Sequence, residues 1–351
     1  MTRRHVTSAA CIIALGTLLA SSPAMAQGAP FYAGKTIQLI ISSESGGGFD
    51  TYSRALARTI PKHIPGQPTI GIQYMPGATG ITAANHLFNV AAKDGTVIGA
   101  LSNSNLLEPL FGNKNAKYDP LKFAWVGSMG KQRALCVTWH TSPIKTWDDA
   151  KTRVVNVSAS SATANNATLP RLLNHLTGTQ FKVITGYSTS GVRLALEKEE
   201  VDGVCGLSYQ TLIASSPQWF EGNRLNMIGQ LGLGESPHLP GVPNVLDLVK
   251  DPIDKEALTL LVIPQEMGRP HVAPPGVPAD RLAILRAAFD ATMTDPTFLA
   301  DAGKMKMIIE PVSGAEMQGL LAKAYGTPEP VAKRALALIA TGNDLRSAER
   351  K

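Results

Sequence analysis

From residue 35 onwards, the chain alternates short β-branched strands with glycine- or serine-rich loops and amphipathic helices. The first unit is a strand at 35–42, a loop at 43–50 that contains three consecutive glycines, and a helix at 51–60. The same order returns at 69–92, with the strand at 69–74, and further helices are predicted at 253–258 and 279–293. Strand, loop and helix in this repeated order predict an α/β fold with a largely parallel sheet covered by helices.

The order of elements predicts two lobes rather than one continuous sheet. An extended stretch at 123–140 interrupts the repeat, and new strand–loop–helix units then run from 148 to 207. We expect the chain to enter an inserted lobe near Lys131 and to leave it near Ile228, which gives two adjacent hinge crossings. The predicted divisions are a signal peptide at 1–26, one lobe from 27–130 plus 229–351, and the inserted lobe at 131–228.

The N-terminus has the three parts of an export signal. A basic start containing Arg3 and Arg4 precedes an apolar run at 6–20 and small residues up to Ala26. The apolar run is shorter than the roughly 20 residues that span a bilayer, so a cleaved signal is favoured over an anchor. Cleavage after Ala26 predicts a periplasmic protein and takes the formal charge from +6 to +4.

Composition excludes several classes of partner. The positive charge is mild and forms no basic cluster, which argues against nucleic acid and favours small anionic ligands. The histidines are scattered without ligand spacing, so no metal and no cofactor is expected. Cys136 and Cys205 remain after cleavage and are either a disulfide of an oxidising compartment or two buried thiols.

No catalytic motif is complete in this sequence. The loop at 46–50 does not match the dinucleotide pattern GxGxxG and lacks a Walker lysine. Residues 186–190 miss the second glycine of a nucleophile elbow. The sequence therefore predicts a binding protein that is not an enzyme. A secreted α/β hydrolase and a ligand-sensing lobe for a membrane kinase remain the alternatives.

The loops suit small anions, because each follows a strand and precedes a helix. Ligands bind at the carboxyl ends of strands in open α/β sheets, and the unpaired amides of helix N-termini attract anions. Asp50 is expected either to cap the helix that starts after it or to contact the ligand. Glu44 either points to solvent or selects a ligand with a donor or cationic group.

An ordered set of motifs resembles the Bug family, the receptors of tripartite tricarboxylate transporters. The matches are the glycine loop at 46–50, Met75-Pro76-Gly77-Ala78-Thr79-Gly80, Asp94-Gly95-Thr96, Tyr118-Asp119-Pro120, Val201-Asp202-Gly203, 239–244 and 274–278. The resemblance implies a monomeric, two-lobed, type II periplasmic binding protein of the Venus-flytrap kind. Such a receptor delivers a di-, tri- or aromatic carboxylate to a two-component membrane permease.

The resemblance and the loop chemistry together predict the ligand contacts. Half of them lie in the first two loops of the first lobe, and the polar loop at 102–105 is expected to line the cleft. The predicted ligand-binding residues are Ser43, Glu44, Gly47, Gly48, Asp50, Gly77, Ala78, Thr79, Ser102, Asn103, Ser160, Ser161, Thr163, Ser188, Ser190 and Gly191.

Overall fold

The computed structural model describes residue 1 and residues 29–162 and 164–348, except for the side chains of 189, 190 and 341–348. The predicted signal at 1–26 lies outside these residues apart from Met1, and Thr163 lies outside them as well. The strands are β1 Thr36–Ile41, β2 Thr69–Tyr74, β3 Val97–Ala100, β4 Ala124–Ser128, β5 Ala134–Trp139, β6 Val155–Ala159, β7 Phe181–Thr185, β8 Gly203–Ser208, β9 Leu225–Leu231, β10 Pro270–Ala273 and β11 Val312–Ser313.

Helices follow most of the strands. They are α1 Gly48–Thr59, α2 Ile81–Asn89, α3 Trp147–Thr152, α4 Asn165–Thr177, α5 Thr189–Glu197, α6 Tyr209–Ser215, α7 Pro217–Glu221, α8 Pro252–Glu266, α9 Ala279–Met293, α10 Pro296–Lys304, α11 Gly314–Tyr325 and α12 Glu329–Ala348. Short 3₁₀ helices cover Ile60–His63, Ala78–Gly80, Asn103–Leu107 and Val245–Leu248.

The first sheet has the strand order β11-β4-β10-β3-β1-β2. β1 runs parallel to β2 and β3, whereas β10 runs antiparallel to β3 and β4. β10 therefore begins at the edge where β1, β2 and β3 end. The Leu101 amide donates to the carbonyl of Pro270 at this edge.

Both faces of the first sheet are buried. On β1, Ile37, Leu39 and Ile41 pack into one apolar cluster with α1, α9 and α10, while Ile40 packs on the other face with α2. Successive side chains of a strand point to opposite faces, which explains this alternation. Helices therefore cover both faces of the sheet, and the edge at the carboxyl ends of β1, β2 and β3, with its attached loops, is available for binding.

The second sheet has the order β7-β6-β8-β5-β9. β6 is parallel to β7 and β8, and β5 is antiparallel to β8 and β9. Cys136 on β5 lies opposite Cys205 on β8, and the two form a disulfide. The alternative that the sequence left open is thus decided in favour of the bond.

The chain passes between the sheets at two adjacent places. It leaves the first sheet after Ser128, enters the second at Ala134, and runs to Leu231, three residues past Ile228, before it returns through α8 to β10. The Gly268 amide donates to the carbonyl of Gly130 at 2.9 Å, so the two crossings lie side by side.

The two crossings are also joined by a buried carboxylate. Glu266 is 5% exposed and accepts a hydrogen bond from the Leu233 amide at 3.0 Å. Its oxygens lie 3.5 Å from Nη1 of the buried Arg133 and 3.2 Å from Nζ of Lys131. This ionic cluster fixes the outgoing segment against the returning one.

Candidate functional site

The loop after β1 leads directly into an uncapped helix. Gly47 is the N-cap residue of α1, and no side chain there accepts a hydrogen bond from the first turn. Gly46 has φ +87°, a left-handed conformation that glycine adopts without strain. The first amides of a helix have no acceptor within the helix, so this end of α1 is suited to an anion.

Asp50 stabilises this loop from inside the helix. The prediction that Asp50 caps α1 is wrong, because Gly47 is the N-cap residue and Asp50 lies in the first turn. Its carboxylate accepts hydrogen bonds from the Gly46 amide at 2.7 Å, from Nε of Arg54 at 2.8 Å and from the Tyr74 hydroxyl at 2.7 Å. Asp50 is only 4% exposed, and its carboxylate is engaged in the hydrogen bonds that stabilise this loop.

The pKa of Asp50 reflects these bonds. Burial alone would raise it, but the hydrogen bonds from Gly46, Tyr74 and Arg54 outweigh burial and place the pKa below its ordinary value. A depressed carboxyl pKa contributes stability that is present above the ordinary value and is lost as the pH falls through the folded-state value. The loop is therefore held most firmly at neutral pH.

Replacing Asp50 by asparagine is expected to lower the free energy of unfolding by about 1–3 kcal/mol at neutral pH, because one oxygen becomes an amide group that cannot accept and the hydrogen bonds to the other oxygen lose their charged acceptor. The measurement is urea unfolding as a function of pH. The difference from the wild type should shrink as the pH falls below the ordinary carboxyl pKa. A difference that does not change with pH would contradict the role of the ionised form.

The second loop contains consecutive left-handed residues. Ala78 has φ +48° and Thr79 has φ +55°, which is uncommon for residues with a side chain, and Gly80 follows at φ +94°. Such backbone strain is often kept at binding sites. A Cβ atom at Gly80 would lie 2.8 Å from Nδ2 of Asn105 and 3.1 Å from Cβ of Ser42. The loops after β1, β2 and β3 therefore converge at one edge.

The remaining predicted residues of the first lobe are placed differently. Glu44 is exposed, and the Ser43 hydroxyl donates to the Glu44 carbonyl at 3.3 Å. A Cβ atom at Gly77 would lie 2.4 Å from Oγ1 of Thr82, so the turn is closely packed there. The hydroxyls of Ser102 and Ser104 are 2.8 Å apart.

Asn103 connects the third loop to the crossings. Its Nδ2 donates to Oε1 of Gln132 at 3.1 Å and to the carbonyl of Pro264 at 3.0 Å. Because these acceptors lie on the outgoing and the returning segment, Asn103 touches both. It also lines a cavity of about 440 Å³ between the sheets.

That cavity has walls from both lobes. The loop after β3 contributes Asn103 and Ser104, and the second sheet contributes Asn165, Gly206 and Ser208. Nδ2 of Asn165 donates to the carbonyl of Gly206 at 3.2 Å, which joins the start of α4 to β8. The structure thus places the polar loop after β3 and the start of α4 with β8 around one cavity.

The second-lobe residues predicted from sequence are partly engaged in local bonds. The Ser160 hydroxyl donates to Oδ1 of Asn166 at 3.4 Å, and Ser161 is exposed. Ser188 is the N-cap residue of α5, where its hydroxyl accepts from the Gly191 amide at 2.9 Å. Ser190 lies in α5, and its side chain is outside the described part.

Arg269 lies at the same edge and was not predicted. It directly precedes β10 and is 7% exposed. Its guanidinium carbon lies 4.8 Å from the Phe49 ring centre and 4.9 Å from that of Tyr52. Nη1 donates to the carbonyl of Gly268 at 2.7 Å, while Nε has no hydrogen-bond partner. Only the position of β10 in the sheet reveals this placement, and no local motif signals it.

Comparison with solved structures finds the same architecture in periplasmic binding proteins. A TctC solute-binding protein from Polaromonas is similar with a TM-score of 0.68 at 18% identity, over 88% of this chain and 99% of that one. The chain has the two-lobed fold of the TctC solute-binding proteins. The predicted α/β class with two lobes is therefore confirmed.

Two further structures share the TctC fold. The periplasmic binding protein BugD gives a TM-score of 0.58 at 16% identity, over 89% of this chain and 98% of its own. MatC from Rhodopseudomonas palustris, with bound malate, gives 0.57 at 18% identity, over 87% and 99%. These neighbours are binding proteins rather than enzymes. No protein-family model and no curated protein matches the sequence.

Two further features of the described residues concern metal binding and membrane insertion. These residues contain no group of three or more histidine, cysteine, aspartate or glutamate side chains arranged to hold a metal ion. None of the described helices combines the length and the apolar character needed to cross a membrane.

Proposed function

We propose that this protein is a periplasmic receptor of the TctC and Bug family that binds a small organic carboxylate between its lobes. The observation that carries the proposal is the convergence of the loops after β1, β2 and β3 at one edge, next to a cavity shared with the second lobe. Malate bound to MatC, a protein of the same fold, supports the ligand class.

The chemistry of the loops supports an acidic ligand. Both α1 and α4 begin without a capping side chain, so each offers unpaired amides and the positive end of a helix dipole. Hydroxyls and amides of the neighbouring loops supply further donors. The contacts predicted from sequence, from Ser43 to Gly191, stay a prediction in this proposal.

The rest of the proposal concerns organisation and transport. The exported chain would begin after Ala26, with one lobe from 27–130 plus 229–351 and the other from 131–228. It would act as a monomer, perform no chemistry on its ligand, and deliver that ligand to a two-component membrane permease. The two adjacent crossings support a hinged closure of the lobes.

A thermal-shift screen of purified residues 27–351 tests the ligand class. Malate, adipate, citrate and benzoate are each added, with glucose and leucine as controls. One or more of the acids is expected to raise the melting temperature, since a ligand at 100 times its Kd stabilises a protein by about 2.7 kcal/mol. The bound acid should be recovered unchanged by NMR. A shift with a control compound and with none of the acids would contradict the proposal.

A further inference from the structure

We propose that Arg269 is the residue that binds the carboxylate of the ligand, together with the N-terminus of α1. This inference rests on the proposed function and adds the charged group that recognises the acid. The predicted loop contacts would then orient the ligand around this charge.

The charge of Arg269 is buried without an acidic partner among the described residues. Among the described residues no carboxylate forms an ion pair with Arg269, whereas the buried Arg133 has Glu266 within 3.5 Å. A buried cation is costly unless it is paired, and arginine stays charged at neutral pH. A bound carboxylate would remove this cost.

The guanidinium of Arg269 lies directly next to the glycine loop at the start of α1. A Cβ atom at Gly48 would lie 3.1 Å from Nη2 of Arg269, so the guanidinium reaches the space that a side chain of residue 48 would occupy. Gly48 is also the first residue of α1 and is exposed. An anion at this helix end would therefore meet backbone amides and the guanidinium at once.

Two nitrogens of the Arg269 guanidinium have no acceptor in the described part of the chain. Nη1 is used by the carbonyl of Gly268, while neither Nε nor Nη2 donates a hydrogen bond to another described residue. Nη2, which faces Gly48, is the donor that an anion at the helix end meets first, and the buried Nε beside it completes the edge that binds both oxygens of a carboxylate in parallel. The unused edge thus matches the chemistry of the proposed ligand.

The aromatic neighbours hold this edge in place. The rings of Phe49 and Tyr52 both lie within 5 Å of the guanidinium carbon, a distance that gives cation–π attraction. Tyr52 is itself fixed, because its hydroxyl donates to the carbonyl of Ile308 and accepts from the Ile308 amide, both at 3.2 Å. A group fixed before binding loses little conformational entropy when the ligand arrives.

The test compares Arg269→Gln and Arg269→Lys with the wild type by calorimetric titration of malate, adipate, citrate and benzoate. Arg269→Gln should weaken binding of the acid that the wild type binds by roughly 100-fold, because the buried charge partner is lost. Arg269→Lys should recover part of the affinity, since it keeps the charge without the fork of donors. Arg286→Gln is the matched control, because Nε of Arg286 donates to the Trp125 carbonyl away from this edge.

A second variant leaves Arg269 in place and guards against a folding defect. Gly48→Ala puts a methyl group against Nη2, and Gly48 lies outside the left-handed region, so the helix should tolerate alanine. Binding should weaken by roughly 10-fold through this crowding. Gly303→Ala in α10 is its control, because a Cβ atom there meets nothing within 4 Å.

The outcomes separate this inference from the proposed function. If the wild type binds an acid and both Arg269→Gln and Gly48→Ala bind it equally well, Arg269 only packs under α1 and the inference is overturned. If the wild type binds none of the acids, the proposed function and the inference fail together. Loss of binding in both variants, with retained binding in both controls, supports the inference.

Discussion

Replacing Glu266 by glutamine is expected to lower the free energy of unfolding by about 3 kcal/mol, because the buried Arg133 loses its partner charge. Glutamine keeps the size of the side chain and an oxygen that can accept from the Leu233 amide. The loss therefore reports the charge and not a cavity. Urea unfolding of the two proteins at neutral pH measures it.

The control for this prediction is an ion pair of the same kind on the surface. Asp247 lies 3.0 Å from Nζ of Lys255, and their side chains are 71% and 45% exposed. Asp247→Asn is expected to cost at most about 1 kcal/mol, since solvent screens exposed pairs. Equal losses of unfolding free energy in the two variants would show that the ionic cluster at the crossings contributes no more to stability than a surface ion pair.

Removing the disulfide by Cys136→Ala together with Cys205→Ala is expected to cost about 2–4 kcal/mol. The bond joins residues 69 apart in sequence, so it greatly limits the unfolded chain. Unfolding in denaturant, compared with the wild type, measures the loss.

Chemical reduction of the wild type provides an independent check of the same bond. Residues 27–351 contain only these two cysteines, so a reductant acts on no other thiol pair. The reduced wild type should unfold at the same denaturant concentration as the double variant. If the oxidised wild type and the double variant were equally stable, the result would contradict a role for the disulfide in stabilising the fold.

Clear turn residues on both sides made several elements predictable. The strand at 69–74 has the same bounds in the sequence interpretation and in the structure, and the helix Ala279–Met293 was predicted with the same ends. The strand alternates apolar residues at 70, 72 and 74 between Pro68 and Pro76, and the helix lies between Pro278 and Pro296. The repeated order of these elements was enough to predict the fold class.

Elements without such patterning were misjudged or missed. The helix predicted from Ile253 to Leu258 continues to Glu266. Its full length was missed because residues 257–264 are largely buried and do not show one apolar and one polar face. α1 begins at Gly48, earlier than predicted, since glycines hide a helix start. This earlier start explains why Asp50 is not its N-cap residue.

The convergence of the loops was predictable because it depends on neighbouring residues, whereas the position of Arg269 was missed because it depends on distant ones. The loops at 43–50 and 75–80 follow their strands directly, so the sequence indicates that they share an edge. Arg269 reaches the same edge from 220 residues away through a four-residue antiparallel strand, β10. Such a short strand has no periodicity from which its register could be inferred.

The placement of Arg269 on the first sheet has a kinetic consequence. In the proposed binding mode the ligand contacts the guanidinium, the start of α1 and the loop after β2, which all belong to the first sheet and its connections, so it can bind there before any closure of the lobes. The association rate would then depend on that half alone, and the second lobe would mainly slow dissociation. Substitutions in the loops after β6 and β7 should therefore lengthen or shorten the residence time of the ligand and leave its rate of capture unchanged.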